Sequence, residues 1–254
     1  AGERGSPDDK AWHRARVMST YLQLCASLRS ETSDAGTGPT TVASQIGQLA
    51  RIVNWIKNAW IEIQNRHADW LWLRSTWTVN TVASDDTYAY GDVTDSRLSA
   101  VITRFRLWWL YDVDGFPNIK SYLTSAGVSG EKYLIPLSWP AFRDLYKRGT
   151  QTNNAPVHVT VDPQRNLLFG PKPDAAYTIT GEYQMSAQVF SADGDTPEMP
   201  SDYHQLIVYE AMKKYGAFSS APEVSARGAM EGNKLMRQLE ANQRPECGLA
   251  GPLV

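Results

Sequence analysis

Residues 41–66 read TVASQIGQLARIVNWIKNAWIEIQNR, and the spacing of their apolar positions alternates between four and three. These positions are Val42, Ile46, Leu49, Val53, Ile56, Trp60 and Ile63. Three heptads of this kind predict one long amphipathic helix, which would extend over roughly 33 Å at about 1.5 Å per residue. A cap at Thr40 or Thr41 would begin it. Such a helix suits a protein built for assembly, although packing inside a two-layer core would produce the same pattern.

Helical patterns lie at both ends of the chain, and strand patterns fill the middle. We expect helices over residues 21–28, 138–147 and 222–243, and in a segment after Pro200 where Asp202 and Gln205 resemble a capping box. We expect strands over residues 101–111, 157–161, 167–169 and 177–185. The turn formers at 162–166 would join two of these strands into a hairpin.

This order of elements predicts an α+β fold. A helical bundle would form from both ends of the chain, and an antiparallel β-rich domain with one short helix would be inserted into it. The expected boundaries are 18–71 and 200–243 for the bundle and 72–199 for the β-rich domain. Residues 1–17 would be a disordered leader, and residues 244–254 would form an extended C-terminal tail.

Composition excludes several classes of protein. The formal net charge of −2 over 254 residues argues against general electrostatic coating of nucleic acid. Cys25 and Cys247 lie near opposite ends, so they form neither a disulfide framework nor a metal-binding knuckle, and a reducing compartment such as the cytoplasm fits best. No run approaches the ~18 apolar residues of a membrane span. We therefore expect no membrane association, metal or cofactor.

Short motifs follow one another in a fixed order along the chain. They are a glycine-rich loop ending at Gly38-Pro39, then Asp69-Trp70-Leu71-Trp72-Leu73, Trp139-Pro140-Ala141-Phe142, residues 166–174 (NLLFGPKPD) and residues 199–215 (MPSDYHQLIVYEAMKKY). In this order they resemble the head-to-tail adaptor proteins of tailed bacteriophages. The resemblance covers residues 18–243 and leaves residues 1–17 without a counterpart.

The resemblance implies a structural virion protein and no enzyme. Such a protein forms a ring, commonly of twelve copies, that joins the portal protein to the tail tube or nozzle protein. The ring leaves a channel for DNA, where contact with DNA would be transient and non-specific. The protein would be made in the host cytoplasm and reside at the head–tail interface of the virion. We expect a monomer in dilute solution that oligomerises on its portal.

Candidate contact residues come from the tryptophans and the tail. Because neighbouring side chains on a strand point to opposite faces, Trp70, Trp72, Trp108 and Trp109 cannot all enter one core. Each is expected either in the core or in a contact with the portal or a neighbouring subunit, since Trp is enriched at interfaces. In the tail, Leu249, Leu253 and Val254 would lie on the portal, as the family's C-terminal ends do.

Catalytic patterns are weak in this sequence. His204 is expected to be a capping or surface residue. The acidic loops are expected to be solvated turns, and they contain Asp85, Asp86, Asp92, Asp95, Asp193 and Asp195. Neither loop follows a calcium-binding frame, and no nucleophile elbow or phosphate loop is present. No catalytic residue is assigned.

Two alternatives from other classes remain. The density of Trp and Tyr would also suit a β-sandwich carbohydrate-binding module, and Asp86 with Asp95 would serve as paired carboxylates in a hydrolase. A local basic strip would contain Arg104, Arg106, Lys147 and Arg148, although the same residues are expected on the wet faces of a strand and a helix.

Overall fold

A computed structural model describes residues 19–32 and 38–243, and it combines helices with largely antiparallel sheets. The predicted mixture of α and β structure is confirmed. The helices of the described residues are α1 (Tyr21–Glu31), α2 (Gly47–Arg66), α3 (Trp139–Tyr146), α4 (Gln205–Ser219) and α5 (Pro222–Gln243). The strands are β1 (Arg74–Asn80), β2 (Thr87–Tyr88), β3 (Thr94–Asp95), β4 (Ala100–Val101), β5 (Leu107–Trp109), β6 (Lys120–Leu123), β7 (Lys132–Tyr133), β8 (Ile135–Pro136), β9 (His158–Val161), β10 (Leu167–Gly170) and β11 (Tyr177–Gln184).

The described residues fall into two units. The first holds residues 19–32, 38–67 and 188–243, and the second holds residues 68–187. The first unit contains α1, α2, α4 and α5, and the second contains α3 and every strand.

Helix α4 is the centre of the first unit, because it packs against α1, α2 and α5. Its buried side chains include Leu206, Ile207, Val208, Ala211 and Met212. A helix that is apolar on several faces belongs between other helices rather than at the surface. Its partner α1 confirms the predicted first helix and begins with a capping box, in which Thr20 and Gln23 each accept the other's backbone N–H.

The long helix is confirmed over its C-terminal part and is wrong at its start. Val53, Ile56, Trp60 and Ile63 are buried on one side of α2, as the heptad pattern predicts. The helix nevertheless begins only at Gly47, because Ser44 and Gly47 adopt positive φ angles of 54° and 61°.

Asp193 explains why the segment before α2 is not helical. Its Oδ1 accepts hydrogen bonds from the Thr41 hydroxyl at 3.1 Å and from the Val42 N–H. Val42 is therefore buried outside the helix, while Ile46, at the N-cap, is 85% exposed. The predicted cap at Thr40 or Thr41 is wrong, because the N-cap of α2 is Ile46, which makes no side-chain capping bond.

The second unit is built on the central pair of strands β1 and β11. The larger sheet has the order β4-β3-β1-β11-β6-β7, and β5 pairs with the end of β11 beyond β6. The smaller sheet has the order β2-β10-β9-β8, in which only β8 and β9 are parallel. The strand predicted over 177–185 and the hairpin of β9 and β10 are confirmed, and the Asp162 side chain closes the hairpin turn by accepting the Asn166 N–H.

The predicted strand over 101–111 is wrong. Strand β4 pairs with β3, whereas β5 pairs with β11, so the chain leaves one edge of the sheet and rejoins it elsewhere. Between the two, Arg104 donates from Nε and Nη2 to the Ser186 carbonyl, at 3.1 and 2.6 Å. The Arg104 side chain is thus part of the unit's interior bonding rather than a wet strand face.

The three remaining helix predictions have different outcomes. Helix α5 confirms the helix predicted over residues 222–243. Helix α3 is confirmed, with Ser138 as its cap and Pro140 in its first turn; Phe142 is buried, but Leu145 is 51% exposed. The capping box of Asp202 with Gln205 is wrong. A 3-10 turn over Ser201–Tyr203 precedes α4, and the cap residue His204 makes no side-chain capping bond.

Candidate interaction surfaces

Trp70 and Trp72 lie against each other inside the second unit. Their ring centroids are 4.3 Å apart, and both side chains are buried. The Gln184 amide donates to the Trp70 carbonyl at 2.9 Å and ties this segment to the end of β11. These two indoles are already covered by the protomer that carries them.

Trp108 and Trp109 point to opposite faces of β5, as strand alternation predicts. Trp108 is buried against Trp77, with ring centroids 5.4 Å apart. Trp109 is only half-buried, and the Arg74 guanidinium lies 4.7 Å from its ring centroid. Of the four candidate tryptophans, only Trp109 offers substantial surface to a partner, and the contact role predicted for the group stays a prediction.

The tail residues of the candidate site lie outside the described residues. This applies to Leu249, Leu253 and Val254, and equally to the leader over residues 1–17.

A hairpin over residues 111–117 was not predicted from the sequence. Tyr111 bridges to Pro117, and the Asp112 Oδ1 accepts the N–H groups of Asp114 and Phe116 at 3.0 and 2.8 Å. Gly115 takes a φ of 83° and completes the turn. The side chains at its tip are exposed, with Phe116 at 67%. The sequence does carry a signal for this hairpin, because the pair Asp114-Gly115 lies between the apolar residues Val113 and Phe116.

A cleft of about 480 Å³ opens beside β5 in the same unit. Its walls are Phe105, Arg106, Leu107, Trp108, Leu110, Val161 and Arg165. The ring of Phe105 lies 4.5 Å from Trp108 and 5.2 Å from the exposed Tyr90, which extends the aromatic wall. The cleft therefore has an apolar floor and two guanidinium groups.

The two carboxylates considered for hydrolysis are each engaged in the structure. The Asp86 Oδ2 accepts a 2.8 Å bond from Lys147. Asp95 is buried and accepts bonds from the Tyr183 hydroxyl, the Ser75 hydroxyl and the backbone N–H groups of Arg97 and Leu98. Burial alone would raise the pKa of Asp95, but these bonds outweigh it and lower the pKa. Asp95 is an internal brace of the sheet rather than a solvated turn residue.

His204 occupies the N-cap position of α4, but its side chain makes no capping bond and the expectation of a surface group is wrong. Its side chain is 2% exposed, its Nδ1 accepts the Ser19 N–H at 3.1 Å, and its Nε2 lies 3.1 Å from the Met199 carbonyl. Burial lowers its pKa despite the nearby carbonyl oxygens. The ring joins α1's N-terminal end to the turn before α4.

The predicted basic strip is divided among local partners. Arg104 binds the Ser186 carbonyl, Lys147 binds Asp86, and Arg148 binds Asp144 at 3.0 Å. Within residues 19–32 and 38–243, no cluster of three metal-ligating side chains occurs. In the same part of the chain, no helix is long and apolar enough to span a bilayer.

Comparison with models of protein families identifies the family of the chain. A family model described as SU10 adaptor protein matches residues 19–251 of the chain. None of the curated proteins compared with the chain matches it.

Proposed function

Because the chain belongs to the SU10 adaptor protein family, we propose that it is a structural subunit of the adaptor that joins the portal of a tailed phage to its tail. The observation that carries this proposal is the family match over residues 19–251, which includes both structural units. The function is mechanical, and its partners are the portal protein, the tail tube or nozzle protein and further copies of the same chain.

We propose a division of labour between the two units. The helical unit would be the bundle that lines up side by side in a ring, twelve copies being usual in this family. The strand-rich unit would be the domain inserted into the sequence of that bundle. Support comes from the path of the chain, which leaves the helical unit after His67 and returns to it at Gln188. Segments from both ends of the chain therefore share one helical core.

The tail is the proposed attachment to the portal. The family match continues to residue 251, past the end of α5 at Gln243, so it includes residues 244–251 of the tail, whereas residues 1–18 and 252–254 lie outside the match. Leu249, Leu253 and Val254 would supply apolar anchors, each worth about 1.5–3 kcal/mol when fully buried.

The engagement of the polar groups supports a role without catalysis. Asp86, Asp95 and His204 each serve a structural bond within one unit. The carbohydrate-binding alternative gains nothing from Trp70, Trp72 or Trp108, which are buried and present no platform for a sugar ring.

Portal binding by truncated chains tests the proposal. Purified portal protein is immobilised, and the affinity of the full chain is compared with that of a chain ending at Arg244 and of a chain beginning at Met18. We expect loss of the tail to weaken binding by about 100-fold or more, corresponding to roughly 3 kcal/mol, and loss of residues 1–17 to leave it unchanged. Equal binding by all three chains would overturn the role of the tail, and failure of the full chain to bind would overturn the adaptor proposal.

A further inference from the structure

The hairpin over residues 111–117 presents an acidic and apolar tip. Val113 and Phe116 are 53% and 67% exposed. Asp112 and Asp114 lie beside them, and residues 111–118 contain no Lys or Arg. The side chain of Asp114 is exposed, whereas Asp112 is occupied by the bonds that close the turn.

The tip is held in a defined shape. The Asn118 N–H donates to the Leu110 carbonyl at 3.0 Å, and the Asp112 N–H donates to the Phe116 carbonyl at 2.9 Å, so the hairpin continues the direction of β5. Asp112, at the level of Phe116, is two residues beyond Leu110, the last residue of this segment that lines the cleft, which corresponds to about 7 Å of strand. The tip is therefore carried away from the cleft that lines β5 of the same protomer.

The cleft beside β5 has the complementary character. Its floor is formed by Phe105, Leu107, Trp108 and Leu110. At its edge, Arg165 is exposed on a turn with a φ of 68°, where its Nη1 donates to the Arg106 carbonyl. The volume of about 480 Å³ lies within the range of about 300–1,000 Å³ typical of binding pockets. No carboxylate is among the described residues that line it.

We propose that the hairpin tip of one copy docks into the cleft of a neighbouring copy, with Phe116 against the aromatic wall and Asp114 against Arg165. This inference rests on the proposed function, because it names a contact between the strand-rich units of adjacent subunits, in addition to the side-by-side packing proposed for their helical units. The pairing combines aromatic packing with a charge pair, which fixes both affinity and register.

The hairpin and the cleft are two different surfaces of one protomer, which suits a heterologous contact. Each copy uses its hairpin toward one neighbour and its cleft toward the other, so the contact repeats until a ring closes. An isologous pair would instead consume both surfaces in a dimer.

Disulfide trapping tests the proposal. A chain with Asp114→Cys and Arg165→Cys is prepared with Cys247→Ser; Cys25 is buried, and burial raises its pKa to about 12, so it does not compete. The protein is oxidised after assembly on immobilised portal protein. We expect a ladder of covalent oligomers. Each single cysteine variant, and a control pair of Lys132→Cys with Arg165→Cys, should give no ladder.

Charge exchange supplies a second readout that does not depend on oxidation. Asp114→Lys or Arg165→Glu alone should weaken assembly about tenfold or more, because like charges then meet at every contact. A 1:1 mixture of the two variants should restore assembly, since each contact then pairs opposite charges. Circular dichroism verifies that both variants fold.

The outcomes separate this inference from the proposed function. Portal binding without a ladder and without rescue by mixing would overturn the hairpin contact while leaving the adaptor role intact. A disulfide formed within a single chain would also overturn it, as would variants that lose only portal affinity, because the cleft would then receive another protein. Absence of portal binding by the unmodified chain would instead refute the adaptor role.

Discussion

The side-chain amide of Gln64 pairs with both backbone groups of Gln188. Its Nε2 donates to the Gln188 carbonyl at 2.9 Å, and its Oε1 accepts the Gln188 N–H at 2.7 Å. Gln64 is fully buried near the end of α2. Its side chain satisfies the two backbone groups of Gln188 as a neighbouring strand would. The Gln188 side chain in turn accepts the Trp60 indole N–H at 3.0 Å, and the two glutamines bind the returning chain to α2.

Replacement of Gln64 should therefore destabilise the helical unit strongly. Gln64→Leu keeps a similar side-chain volume but leaves the Gln188 N–H and carbonyl without their partner. We expect this to lower the free energy of unfolding by about 3 kcal/mol. The adjacent and exposed Asn65→Leu is the matched control, with an expected change within about 0.5 kcal/mol. Urea unfolding measures both, and equal effects would show that the Gln64 pairing contributes nothing specific.

Gly181 should tolerate no side chain, because it lies opposite Trp77 in the pairing of β1 and β11. A Cβ at this position would stand 2.8 Å from the Trp77 Cζ2, and Ile119 closes the other side at 3.1 Å. We expect Gly181→Ala to cost about 1–3 kcal/mol through overpacking. Gly130→Ala, which meets nothing within 4 Å, should be close to neutral in the same thermal melts. A neutral Gly181→Ala would contradict the packing described.

Asp95 should be the most sensitive carboxylate of the strand-rich unit. Asp95→Ala strands the Tyr183 hydroxyl and the N–H groups of Arg97 and Leu98, with an expected loss of about 3–5 kcal/mol. Asp114→Ala, at an exposed turn of the same unit, should change stability by less than about 0.5 kcal/mol. Guanidinium unfolding distinguishes the two, and a mild effect at Asp95 would show that its bonds are dispensable.

Acidification should destabilise the fold before any carboxylate is protonated. Burial lowers the pKa of His204 and of His158 from 6.5. The unfolded chain then binds protons as the pH falls through about 6.5, while the folded chain keeps both rings neutral to lower pH. Stability is therefore present above this pH and is lost below it, by up to about 1.4 kcal/mol per histidine and pH unit.

His204→Gln provides the check on this pH dependence. In urea titrations at about pH 7 and about pH 5.5, the variant should lose less stability on acidification than the wild type. His158→Gln should have the same effect independently. An unchanged pH slope in both variants would mean that other groups carry the acid sensitivity.

Elements that depend on neighbours in sequence were predictable. The strand over 177–185, the hairpin turn at Asp162 and the helix over 138–147 all follow from local alternation, turn chemistry or helical periodicity. Elements decided by distant partners were not. The long helix begins later than its pattern predicts, because Asp193 binds the segment at Val42. Nothing in the sequence near position 42 indicates this bond.

The candidate site shows the same limit. Strand alternation predicts that adjacent side chains point to opposite faces, and Trp108 and Trp109 do so. Alternation does not predict which side chains other elements will cover, and it therefore gave no sign that Trp70 and Trp72 are both buried. The exposed hairpin is not among the predictions, because the expected strand ends at Tyr111 and the turn signal at Asp114-Gly115 lies beyond it. The burial of His204 was not predicted, because its hydrogen-bond partner, the Ser19 N–H, lies near the other end of the chain.

Electron microscopy of the full chain mixed with its portal protein would show whether the chain is an adaptor. We expect a ring of copies attached to one end of each portal, with an open axial channel, and a largely monomeric chain when the portal is left out. A chain that remains solitary beside bare portals would contradict the adaptor function, and so would a ring that shows no affinity for the portal.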